Sequence, residues 1–67
     1  MKIYKISALN HLLKYSDRYQ ISIQFWPDYN TVYIMKDDVD LNSWGGDGDF
    51  AIIEAGKYLD RLNKIKP

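Results

Sequence analysis

The chain has 67 residues with nine Lys and Arg against nine Asp and Glu, so it has no global basic field to hold phosphates. Its 46% hydrophobic and 15% aromatic content suffices for one core and is too high for a disordered tail. Cysteine is absent and His11 is the single histidine, which rules out disulfides and thiolate zinc sites and counts against a histidine-built one; no cofactor or metal is expected.

A domain of this length buries only about 60% of the surface its unfolded chain exposes. Without staples it relies on its core, or on an oligomer or partner that covers apolar surface. No apolar run is long enough to span a bilayer, and no signal-peptide core follows Met1-Lys2-Ile3-Tyr4-Lys5-Ile6. The expected address is the cytosol, with no membrane partner.

In chain order, Ile3, Ile6, Leu9, Leu12, Leu13 and then Tyr15 or Ser16 recur at helical spacing. Ser7 suits an N-cap, which predicts a helix over 8–15 with the first six residues extended. A strand over 2–6 is the alternative. Ser16-Asp17-Arg18 ends the pattern.

Two β-favouring runs follow, Ile21 to Trp26 and Thr31 to Met35, joined by Pro27-Asp28-Tyr29-Asn30. Pro27 fits a type I turn and Asn30 tolerates a left-handed backbone, which predicts a hairpin. Alternation places Ile21, Ile23 and Phe25 with Val32 and Ile34 on one face, the face that needs a core. Ser22, Gln24, Trp26, Thr31, Tyr33 and Met35 fall on the other.

Lys36-Asp37-Asp38 reads as a polar corner, and Val39-Asp40-Leu41 as a short third strand at an edge. Asn42 to Asp49 reads as a glycine-rich loop, with Trp44 a lid over the core edge. Asp47 or Asp49 is expected to cap a last helix over 50–65, whose stripe is Ile52, Ala55, Leu59 and Leu62 with Ala51, Tyr58 and Ile65 beside it. Gly56 inside that helix costs about 1 kcal/mol relative to alanine and signals a close approach to the sheet. The fold expected is a small single α+β domain, helix-strand-strand-(strand)-helix. Both helices cover one face of an antiparallel hairpin sheet and leave the other open.

On that open face Trp26, Tyr33 and Met35 are expected to lie close together with Tyr29 nearby, and exposed aromatic clusters of this kind are enriched at interfaces. With Asp37, Asp38 and Asp40 at the rim, these are the candidate partner-binding residues. The occupant is a protein partner, or a second copy in a homodimer. A nucleic-acid-binding domain is the alternative, with Trp26 and Tyr33 stacking bases beside Arg18 and Lys36.

The stretch Asp38 to Asp49 places oxygen ligands at positions one, three, five and twelve of a calcium loop. However, Ser43 stands where the sharp turn needs glycine, and Asp49 where a bidentate glutamate is usual. Helix capping and a glycine turn explain the stretch better. His11 has no Ser, Cys or paired acid near it in sequence and reads as a helix-flank residue. Neither a nucleophile constellation nor a phosphate loop is present, so no enzyme and no small-molecule substrate are expected.

The segment Ile6-Ser7-Ala8-Leu9-Asn10-His11-Leu12-Leu13-Lys14-Tyr15, followed by Asp17 to Gln20 and Ile21-Ser22-Ile23, resembles the opening of many short proteins of phages and prophages of low-GC bacteria. In those proteins a brief serine-capped helix leads into a hairpin. The resemblance spans roughly the first third of the chain and assigns no residue a role. It implies a small accessory or counter-defence protein, for instance an anti-CRISPR inhibitor that binds a host nuclease complex.

Overall fold

β-branched and aromatic residues at alternate positions fold the middle of the chain into an antiparallel sheet of order β1-β2-β3. The computed structural model describes residues 6–64. Its elements are α1 (Ile6–Leu13), a 3₁₀ turn (Lys14–Asp17), β1 (Gln20–Phe25), β2 (Asn30–Lys36), β3 (Val39–Gly46) and α2 (Phe50–Leu62). This is a small α+β domain with helix-β-β-β-helix order.

Ile21 pairs with Ile34 and Ile23 with Val32, as alternation predicts. Val32 and Ile34 are fully buried beneath Ile52, Ala55 and Leu59 of α2 and Leu12 of α1, while Ile21 and Ile23 pack at the margin. Each large side chain removed from water there contributes about 1.5–3 kcal/mol. α2 lies across β2 and β3, and α1 packs chiefly along α2. Phe25 belongs to the same face by register but, on the edge strand, stays 56% exposed while its partner Asn30 is fully buried.

The third strand is longer than its alternation suggests. Met35 pairs with Asp40 but Ile34 pairs with Asn42, so Leu41 is an extra residue, a β-bulge. That one-residue slip turns the rest of β3 over and brings Trp44 opposite Val32 on the core side. Its ring meets Tyr58 of α2 edge-on at 5.1 Å, so Trp44 and the two glycines after it are strand, not loop.

Several other expectations change. α1 already contains Ile6, so Ser7 lies inside the helix and not at its N-cap, and Tyr15 falls in the 3₁₀ turn. Asn30 is a buried strand residue and takes no left-handed backbone; the hairpin closes earlier, with the Trp26 N–H donating to the Tyr29 carbonyl at 2.8 Å. Asp49 stands at the N-cap of α2 without a side-chain hydrogen bond to the first turn. α2 ends at Leu62, and Leu62 is exposed. Ile65 and the segment expected extended or as a strand at the N-terminus lie outside the described residues, apart from Ile6.

Gly56 marks a close approach to α1, not to the sheet. A Cβ there would stand 3.1 Å from Cδ2 of His11.

Candidate functional site

The sheet face opposite the helices carries Gln20, Ser22 and Gln24 from β1, Thr31, Tyr33 and Met35 from β2, and Asp40 and Ser43 from β3. Tyr33 stands in its middle, flanked by Ser22 and Ser43, and is 39% exposed. The bulge opens a shallow hollow of about 240 Å³ beside it, lined by Tyr33, Asp40, Leu41, Asn42 and Ser43.

The expected aromatic cluster divides into separate parts. Met35 pairs with Gln20, six residues along β1 from Trp26, which at about 3.3 Å per residue separates them by about 20 Å. Trp26 instead stacks on Tyr29 at the hairpin tip, with centroids 5.8 Å apart and planes inclined by 15°. Both rings remain nearly half exposed, at 47% and 44%.

Behind the tip, the fully buried Asn30 donates its amide to the carbonyl of Gly48 at 2.7 Å, which fastens the β3–α2 loop against the hairpin. The side-chain Oδ1 of Asn30 is buried and accepts no hydrogen bond among the described residues.

At the other end, Asp37 and Asp38 form the two-residue turn between β2 and β3. Their φ angles are +53° and +65°. Two consecutive positive φ values are what a type I′ hairpin turn requires, and Asn-Gly is its usual sequence. Asp40 follows on β3, so Asp37, Asp38 and Asp40 do sit together as a rim.

Charge is unevenly divided, although the whole chain is neutral. Residues 20–49, the sheet and its connections, hold Asp28, Asp37, Asp38, Asp40, Asp47 and Asp49 against Lys36 alone. The helical stretches 6–19 and 50–64 hold Lys14, Arg18, Lys57, Arg61 and Lys64 against Asp17, Glu54 and Asp60. The sheet and its connections are thus acidic and the helical stretches basic, with Asp37, Asp38 and Asp40 gathered at the β2–β3 end of the open face. Lys36 lies over the Tyr19 ring at 5.0 Å and Arg18 over the Tyr15 ring at 5.8 Å, so both are engaged within the chain.

The chain matches no family model, no curated protein and no solved structure.

Sequence reasoning missed one polar cluster. His11 Nε2 lies 2.9 Å from both carboxylate oxygens of Asp60, and the Tyr15 hydroxyl donates to the same carboxylate at 2.6 Å. A ring nitrogen facing a carboxylate in this way carries the proton. The Tyr15 hydrogen bond holds the Asp60 carboxyl below its ordinary pKa with help from His11 and against some desolvation; the same bond pushes the Tyr15 hydroxyl up. The spacing of His11 and Tyr15 at i and i+4 is the only local signal, because Asp60 is 49 residues from His11.

Nearby, Arg18 donates to Asn63 Oδ1, and Asn63 Nδ2 donates to the Tyr19 hydroxyl. The hydroxyl of Ser16 is committed to the Leu13 carbonyl at 2.7 Å. These contacts make a clamp between α1, the 3₁₀ turn and α2.

A more open groove of about 410 Å³ runs between Ser16–Gln20 and Lys36–Asp38, with both signs of charge on its walls. The calcium-loop comparison fails on the backbone, since residues 39–46 are an extended strand that cannot wrap a cation.

Proposed function

We propose that this is a non-enzymatic binding protein of the cytosol whose sheet layer docks on a basic surface of another protein, as an accessory or inhibitory factor. The observation that carries the reading is the charge division: a sheet face centred on the exposed Tyr33, with Asp37, Asp38 and Asp40 at one end, in a stretch, residues 20–49, that holds six aspartates against Lys36 alone. Exposed Trp and Tyr supply affinity, and rim carboxylates supply orientation and on-rate toward a basic partner.

The same division weighs against the two other occupants. A nucleic acid would need cations around Trp26 and Tyr33, and residues 20–49 hold Lys36 alone. Two copies meeting through this layer would bring two net-acidic surfaces together, so a homodimer is disfavoured there. A phage counter-defence protein that occupies the nucleic-acid-binding surface of a host protein is one member of this class, supported only by the resemblance of the first third of the chain.

The test uses wild type, Tyr33→Glu and the helix-face control Lys57→Glu as immobilised bait in a bacterial lysate at low and high salt. A protein retained by wild type and by Lys57→Glu, and released both by Tyr33→Glu and by salt, is the expected result. Retention that ignores Tyr33→Glu, or elution of nucleic acid alone, contradicts the proposal.

A further inference from the structure

We infer that the β1–β2 hairpin tip is the seat for an arginine side chain of the partner, with the guanidinium lying on the exposed Trp26–Tyr29 pair beside the Asp28 carboxylate. The inference rests on the proposed docking of the sheet layer against a basic protein and names the contact at one end of it.

Three features combine at the tip. First, the Trp26 and Tyr29 rings stack on each other, and nearly half of each stays open to solvent. Second, the platform is rigid before anything binds: Pro27 fixes its own φ, the Trp26 N–H is bonded to the Tyr29 carbonyl, and Asn30 holds the adjacent loop through Gly48. Third, the charged residues joined to this platform are all acidic. Asp28 lies between the two aromatics in sequence, and Asp47 lies beside the Gly48 that Asn30 grips.

The molecule's own cations show what such a platform takes. Arg18 and Lys36 lie over Tyr15 and Tyr19, whereas among the described residues no cation lies over Trp26 or Tyr29. Lys36 cannot reach, because it pairs with Val39 at the far end of β2, about 20 Å from Asn30 along the strand. Tryptophan is the strongest cation–π acceptor, and the planar guanidinium stacks on it where a lysine ammonium does not.

The experiment is a titration of the ¹⁵N-labelled wild-type protein with a capped peptide of four Gly-Arg repeats, and with its lysine and glutamine counterparts, followed by amide and indole NMR signals. The arginine peptide should move the Trp26 indole and the Asp28 and Tyr29 amides saturably. The lysine peptide should bind roughly 2- to 5-fold more weakly and the glutamine peptide not at all. The Trp44 indole, packed on Tyr58, serves as internal control.

Asp28→Asn should weaken binding by a similar factor without changing the fold, since Asp28 is exposed at the tip. Lysine and arginine peptides binding the tip equally would overturn the inference. Movement confined to the Asp37–Asp40 corner would also overturn it, while leaving the basic-partner reading standing. Silence at the tip up to millimolar peptide overturns it as well, and the basic-partner reading then rests on its own capture experiment.

Discussion

Gly56 of α2 and His11 of α1 meet so closely that a Cβ on the glycine would stand 3.1 Å from the imidazole Cδ2. The ring cannot swing away freely, because its Nε2 is bonded to Asp60. Helix propensity alone would favour alanine by about 1 kcal/mol. The prediction is that Gly56→Ala lowers the urea midpoint of the wild type yet raises stability by up to about 1 kcal/mol in a His11→Ala background, where the obstruction is gone. A double-mutant cycle of equilibrium unfolding checks both signs.

The Asp60 cluster makes stability pH-dependent at both ends. Asp60 is held below its ordinary carboxylate value of about 3.9, so its contribution is present above that value and is lost as pH falls through the lowered folded one. Tyr15 is raised above about 10, so its contribution is present below that value and is lost as pH rises through the raised one. Urea midpoints of wild type, Asp60→Asn and Tyr15→Phe across acid and alkaline pH should show Asp60→Asn flattening both limbs, and Tyr15→Phe flattening the alkaline limb and weakening the acid one, where His11 still supports Asp60. Parallel profiles for all three would refute the clamp.

The Asp37-Asp38 turn combines two positive φ values with two like charges. Asp37→Asn with Asp38→Gly supplies the residues that a type I′ turn prefers. The pair should raise stability by roughly 1 kcal/mol, about 4–8 °C in Tm for a domain of this size. Thermal melting decides it. If the aspartates serve the rim, the same variant should bind its partner more weakly despite being more stable.

The division of charge also predicts the solution state. Light scattering after gel filtration should give a monomer at low salt and at rising concentration. Tyr33→Glu should leave that mass unchanged.

The hairpin is legible in the sequence because β1 and β2 alternate without interruption, and the inward set of Ile21, Ile23, Val32 and Ile34 follows directly. The course of β3 is not, because one extra residue at Leu41 reverses the faces of everything after it and brings Trp44 to the core side. The candidate site is legible in part. Tyr33 and the rim of Asp37, Asp38 and Asp40 lie as expected, but Trp26 belongs to the tip and not to the middle of the sheet. The partner of Gly56 and the pairing of His11 with Asp60 depend on how α1 lies against α2, and the sequence shows only the glycine and the i, i+4 spacing of His11 and Tyr15, not which element each meets.

The most direct test of the docking surface is site-specific photo-crosslinking in a bacterial lysate, with a benzophenone amino acid at Tyr33 on the sheet face and, separately, at Lys57 on α2. A protein adduct from position 33 that fades at high salt, with none from position 57, is the predicted result. An adduct from position 57 alone, or equal adducts from both, would place the binding surface elsewhere and contradict the reading.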